Sequence, residues 1–183
     1  MRRALGGKLP IVNPDDIAAS IDLARRNTPA VQLAAGRKAI EARNALVDAK
    51  RSFAFETTLT GASELRLIER AKTAGFRVNL IYVGIESAAV SADRVAARVQ
   101  RGGHDVPPEA IARRFATSMA HLTEVLPKAD RAWVLDNTGK GHRLLLARRG
   151  HHVRKVTKHL PAWAKAAVPA ALRRSPDRDR GRD

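Results

Sequence analysis

The sequence contains no cysteine. That excludes disulfides, thiolate zinc sites and cysteine nucleophiles, and it suits a reducing cytoplasm. Aromatic residues make up only 4% of the chain against 44% apolar residues overall, so the core must be built from Ala, Val, Leu and Ile. No apolar run approaches the roughly 18 residues of a membrane span. The opening MRRALGGKLP has no apolar stretch of the secretory type. Acids are scarce: 18 Asp or Glu stand against 34 Lys or Arg, a formal net charge of +16. The excess is uneven, since from Gly139 onward 13 Lys or Arg face 3 Asp. Most of it is therefore a C-terminal feature and does not assign nucleic-acid binding to the whole domain.

At 183 residues the chain is long enough for one domain with a real core. Leu9 to Asn13 reads as a short strand, and Pro14 starts a helix with Asp15 and Asp16 in its first turn, where the macrodipole favours carboxylates. Helix continues over Ala18 to Arg26. A long helix comes next over Val31 to Lys50, with Leu33, Ile40, Ala45 and Leu46 at helical spacing. Gly36 inside it predicts close packing against a neighbour. Ser52 to Phe55 is a short strand, and Ser63 to Ala74 is an amphipathic helix closed by Gly75. Phe76 to Ile85 is the most strand-like segment. Helices over Ser87 to Gln100 and Glu109 to Leu126 flank a Gly-Gly loop, and further strands lie at Arg131 to Asn137 and Leu144 to Ala147. Strands separated by helices predict an α/β fold with a parallel sheet. Residues 1–150 read as the domain and 151–183 as a basic tail, partly disordered, ending in RRSPDRDRGRD.

The candidate chemistry begins where the Ser52 to Phe55 strand breaks into Glu56, Thr57 and Thr58. Ligands of α/β sheets gather beyond the carboxyl ends of strands, where a carboxylate and hydroxyls can hold a polar group. The alternative is a Thr58 or Thr60 helix cap with Glu56 as a surface acid. Asp15 sits at a similar strand-to-helix junction, as a general base or metal-supporting carboxylate, or as simple helix-start charge. Arg94, Arg98 and Arg101 step by four and three residues towards the Gly102-Gly103 loop, and Arg113 and Arg114 return on the next helix. Guanidinium groups offered from both arms suit polyphosphate, because each can bond two phosphate oxygens. The competing reading is a solvated basic face. His104 has no second His or carboxylate at metal spacing, so no metal ligand is assigned.

Taken together, IVNPDDIA (11–18), AAGRKAI (34–40), SFAFETTLTG (52–61), GFRVNLIYVG (75–84), RVAARVQRGGHDVPPEAIARRF (94–115) and LDNTG (135–139) resemble the zeta-toxin family of P-loop kinases in order and spacing. The resemblance covers about residues 9 to 140. It implies a P-loop kinase-like parallel sheet flanked by helices, with ATP and Mg²⁺ as cofactors. The implied reaction is transfer of the γ-phosphate to a hydroxyl of a small molecule, with a UDP-linked amino sugar as the substrate class. Asp15 falls where the family activates the substrate hydroxyl. Glu56, Thr57 and Thr58 fall at its substrate-binding strand end. Arg98 or Arg101, with Arg113 or Arg114, falls in the lid that grips ATP phosphates. An antitoxin protein is the implied partner, and the cytoplasm the implied location.

One part of the pattern is missing. The family opens with G-x-x-x-x-G-K-[ST], whose amides, Lys and hydroxyl hold phosphates and Mg²⁺. Gly6-Gly7-Lys8 lacks the first Gly at that distance, and Leu9 stands at the hydroxyl position. The resemblance implies that about 20 residues of strand and P-loop precede Met1, the length of a strand–loop–helix start. Without them the chain is expected to be marginally stable and its activity doubtful. The competing function is an inactive remnant acting as a regulatory or nucleic-acid-binding protein. Through its basic tail such a remnant would bind nucleic acid weakly, without sequence preference and in a salt-sensitive way.

Overall fold

The structure, a computed structural model, describes residues 9–103 and 105–173. The chain divides into two compact units, one ending at Phe76 and the other starting at Arg77. His104, Gly6-Gly7-Lys8 and the closing stretch from Arg174 lie outside the described residues.

In the first unit β1 (Ile11–Val12) pairs in parallel with β2 (Ala54–Phe55), Ile11 opposite Ala54 and Val12 opposite Phe55. Helices α1 (Pro14–Ile21) and α2 (Pro29–Asp48) connect the two strands, and α3 (Ala62–Thr73) comes after β2. Asn13 caps α1, its side-chain oxygen accepting the Asp15 N–H at 2.9 Å, and Pro14 occupies the first turn, where no N–H is needed. The buried face of α2 is Ala35, Ala39, Arg43 and Val47, at a spacing of four. This differs from the expected stripe, for Leu33 is 59% and Ile40 38% exposed. Small alanines let α1 pack closely on α2, and Arg43 turns inward towards the carboxylate of Glu64. Gly36 also departs from expectation, since an added Cβ there meets nothing within 4 Å. At the end of α3, Gly75 takes φ +84 while its own N–H and that of Phe76 return to the carbonyls of Lys72 and Ala71. That is the left-handed stop the sequence predicts.

The second unit is a four-stranded sheet in the order β3 (Asn79–Gly84), β4 (Arg131–Asp136), β5 (Arg143–Arg149), β6 (His152–Val156). The β3–β4 pair is parallel and is joined through α4 (Ala88–Val99) and α5 (Pro108–Lys128). β5 and β6 continue antiparallel. The α/β class with parallel pairs thus holds, and antiparallel strands extend it. The segment from His151, expected as a tail, instead supplies β6, paired with β5 across a two-residue turn at Gly150 and His151. It also supplies α6 (Ala162–Ala167) and a short 3₁₀ turn at Ala170–Leu172. Trp163, Ala164, Ala167 and Val168 of this segment are buried. Basic residues on the outer face masked an ordinary alternation, because Val153 is buried while His152 and Arg154 are exposed. The largest fully buried side chains, Leu122, Val125, Leu126, Val134, Leu145, Leu146 and Val168, all belong to this unit. No helix among the described residues is long and apolar enough to cross a membrane.

Two glycines give opposite expectations. Gly36→Ala should raise stability by about 1 kcal/mol, the difference between the two residues inside a helix, because nothing opposes the methyl. At Gly84 a Cβ would lie 2.3 Å from the Trp163 ring. Gly84→Ala should therefore cost about 1–3 kcal/mol by overpacking. Urea midpoints of the two variants against the parent measure both signs.

Candidate functional site

The β1–β2 pair is short, and each strand runs directly into polar residues. Register places Asn13 and Glu56 next in line after the paired residues, and the Asn13 amide donates to Glu56 Oε2 at 3.4 Å. Asn13 thus caps α1 with its oxygen and holds Glu56 with its nitrogen. Asp15 is exposed in the first turn of α1, close in sequence to this pair. A carboxylate at a helix start, a second carboxylate and an amide share the carboxyl end of a parallel pair, the end where such sheets take ligands.

The loop after β2 is held from beneath. Thr57 donates its hydroxyl to Glu64 Oε1 at 3.2 Å and accepts the Leu59 N–H at 2.9 Å, while Thr58 and Thr60 hydroxyls pair at 2.9 Å. Leu59 adopts φ 57 and is only 4% exposed. For a residue with a Cβ that conformation costs about 1–3 kcal/mol, and it persists where the surroundings determine it. The Gly61 backbone begins α3 without any side-chain cap bond, so Thr58 and Thr60 do not take the capping role open to them from sequence. Glu64 also receives the Ser63 hydroxyl at 3.0 Å and lies 3.7 Å from the Arg43 guanidinium. The Arg43 side chain is 7% exposed, sits 5.0 Å from the Phe55 ring centroid and donates to the Ala39 carbonyl. The buried Arg43 and the half-buried Glu64 fix the loop that carries Thr57 and Thr58 to the end of β2.

In the second unit the carboxyl end of β4 carries a more closed arrangement. Asp136 is 8% exposed. Its Oδ1 accepts from the Thr138 hydroxyl at 2.6 Å, the Thr138 N–H at 3.2 Å and the Trp163 indole N–H at 3.3 Å. Arg143 donates to Oδ2 at 3.2 Å. Burial pushes the carboxyl up, but the bonds from Thr138, Trp163 and Arg143 outweigh it, and the group titrates below the usual Asp range. Trp163 lies on Gly84 of β3 and beside Tyr82, ring centroids 6.2 Å apart. Tyr82 reaches Ser118 of α5 at 3.0 Å, and burial raises its phenol above its ordinary value against the Ser118 bond.

The arginines separate. Arg94 donates to the carbonyls of Asn137 and Thr138, so it ties α4 to the end of β4. Arg98 lies in the last turn of α4, and the Gly102 and Gly103 N–H groups return to Val99 and Arg98 carbonyls. Gly102 takes φ +81, and a Cβ at Gly103 would meet the Arg98 backbone oxygen at 2.9 Å. Only glycine closes this turn. Arg98, Arg101, Arg113 and Arg114 are all exposed on the α4–α5 hairpin. The structure keeps Asp15, Glu56, Thr57 and Thr58 in the first unit and these four arginines in the second. Sequence reasoning does not single out Asn13, Arg43, Glu64, Asp136 or Trp163 for a site. A caps-and-strand-end reading of LPIVNPDD could have found Asn13; the others are joined only by long-range packing.

The Asp136 network gives a pH-dependent expectation. Its folded value is depressed, so its stabilisation is present above the unfolded value of about 3.9 and is lost as pH falls through the folded value. Asp136→Asn would leave an amide where Arg143 needs an acceptor. It should cost about 1–3 kcal/mol at neutral pH. The gap to the parent should close in acid, as urea melts at several pH values would record.

The family model described as Zeta toxin matches residues 14–143, from the start of α1 to the start of β5. An uncharacterized protein of Haemophilus influenzae is 32% identical over 105 residues, a match spanning 57% of this chain and 74% of the relative. No solved structure gives a significant match. The Asp15 helix, the Glu56 strand end, the arginine hairpin and Asp136 all fall inside the matched span, and the chain belongs to the Zeta toxin family of P-loop kinase-like proteins.

Proposed function

We propose that the chain serves an ATP-dependent phosphotransferase of the zeta-toxin type, with a small-molecule hydroxyl as acceptor. The observation that carries this is the carboxyl end of the β1–β2 pair, where Asn13 holds Glu56 with its amide nitrogen and caps with its oxygen the helix that bears the exposed Asp15. Asp15 takes the proton of the acceptor hydroxyl, a role open to an exposed carboxylate at a ligand-binding strand end. Glu56 and Thr58 hydrogen-bond the acceptor's other polar groups, and Thr57, committed to Glu64 and Leu59, keeps that loop in place. Exposed guanidinium groups of Arg98, Arg101, Arg113 and Arg114 suit phosphate oxygens, whose charge must be balanced during transfer. Family membership supports a UDP-linked amino sugar as acceptor class, an antitoxin protein as partner and the cytoplasm as setting.

ATP, when bound, supplies the phosphoryl group. The hairpin arginines fit its phosphates by charge and exposure, whereas the sequence has no G-x-x-x-x-G-K-[ST] to cradle them. Among the described residues no three His, Asp or Glu side chains gather as a metal site, so no residue is assigned to Mg²⁺.

The test uses the chain carrying a strand and P-loop ahead of Met1, with UDP-amino sugar and ATP. Asp15→Asn should lower turnover about 10²–10⁴-fold with nucleotide affinity unchanged. If Asp15 is only helix-start charge, the variant instead loses about 0.3–1 kcal/mol of stability and keeps its rate. Parent-level turnover in the variant removes Asp15 from the reaction.

A further inference from the structure

Opposite the carboxyl ends of β3 and β4, the amino-end edge of the four-stranded sheet forms an open cleft of about 490 Å³. Register explains its lining. Asn79 of β3 is opposite Arg131 of β4, Arg131 is opposite Arg149 of β5, and Arg149 is opposite His152 of β6. Directly opposed residues share a face of a sheet, so these four side chains form one transverse row. With strands about 4.8 Å apart, the row is roughly 14 Å long. Arg77 and Arg154 add a cation at each end. All six side chains are exposed.

Two arginines directly opposed in a ladder repel each other. Among the described residues Arg77, Arg131, Arg149 and Arg154 make no ion pair. The one acid of the cleft, Asp130, accepts the Val78 N–H at 2.7 Å and lies near the buried Arg148. The side chains lining the cleft are mostly cationic donors, and none carries an aromatic ring of the Phe, Tyr or Trp type on which a base could stack. An elongated row of cations without such a platform fits the repeating phosphates of a backbone and not a nucleobase.

We infer that this edge binds the sugar–phosphate backbone of a nucleic acid, without reading its sequence. Arg131 and Arg149 are the central contacts, and Arg77 and Arg154 extend the track. Half of the row, Arg149 and His152, lies beyond the span matched by the family model. The inference does not rest on phosphotransfer at the strand ends. It also relocates part of the C-terminal charge, because Arg149 and Arg154 become fixed members of a folded cleft.

The experiment measures binding of a fluorescein-labelled single strand of about 12 nucleotides by anisotropy, between about 50 and 200 mM salt. For single strands the slope of log K against log salt is about −0.7 per phosphate contacted. Arg131→Ala with Arg149→Ala should weaken binding at least tenfold at low salt and flatten that slope by about 1.4. Arg25→Ala with Arg26→Ala removes the same charge from the first unit and should leave the slope unchanged. Arg131→Glu guards against misfolding, since it faces Arg149 with an opposite charge. It should melt no lower than the parent and yet lose binding. Equal effects from the Arg25/Arg26 pair, or an unchanged slope in the Arg131/Arg149 pair, would overturn the inference. So would displacement of the strand by a nucleoside triphosphate as effective, mole for mole, as unlabelled strand.

Discussion

A carboxylate removed from water must have its oxygens satisfied, and each unit of this protein is arranged around one such group. In the second unit it is Asp136, whose four bonds come from the turn after β4, from β5 and from α6. Leaving a buried acceptor unmet costs about 1–3 kcal/mol, more for a charge. The demand therefore fixes where α6 must lie, and Trp163 in turn requires glycine at position 84. In the first unit Glu64 plays the corresponding part, collecting Thr57, Ser63 and Arg43. Glu64 supports the loop that carries Thr57 and Thr58, whereas Asp136 ties the turn after β4 to β5 and α6. Rigid support beneath an exposed group is what allows a short loop to hold a geometry.

Local signals were readable where the chain states its own limits. Asn13-Pro14, Ser87 and Gly75 each mark a helix end by chemistry within a few residues, and the structure puts caps there. The β3 and β4 segments, with their β-branched runs, were equally plain. Helix faces were less so. On α2 the sequence offers Leu33 and Ile40, yet the buried stripe is alanine plus Arg43 and Val47. Nothing within the helix reveals that Glu64, on another element, would draw an arginine inward. The strand β6 was hidden for a related reason, since its outward residues are His152, Arg154 and Lys155 and only Val153 is buried. Candidate site residues were legible through their order along the chain, whereas the bonds that tie Thr57 to Glu64 and Glu56 to Asn13 span seven and forty-three residues.

In so basic a protein, what an arginine does is decided by what it meets. Arg43 and Arg148 are buried; Arg94 is exposed but spends its bonds on carbonyls at the end of β4. Such residues cannot also grip a ligand. The hairpin arginines and the cleft arginines are exposed, and they lie in separate regions of the second unit. Net charge alone would have merged them into one diffuse field.

The sharpest contrast lies between neighbours on β5. Arg148 is 5% exposed, donates to the carbonyls of Leu126 and Gly150, and is pulled below its ordinary value by burial against the opposing pull of Asp130. Its bond to Leu126 meets the carboxyl end of α5, where the helix dipole favours a cation. Arg149, one residue on, points to the other face and belongs to the cleft. Strand geometry alternates faces with a period of two, so a slip of one residue would exchange the two roles. It would bury a guanidinium without its carbonyls and remove the centre of the basic row. The turn at Gly150, φ +57, and the Gly150 N–H bond to the Asp130 carbonyl at 2.7 Å hold that register. The same few backbone atoms thus close the core on one face and align the charges on the other.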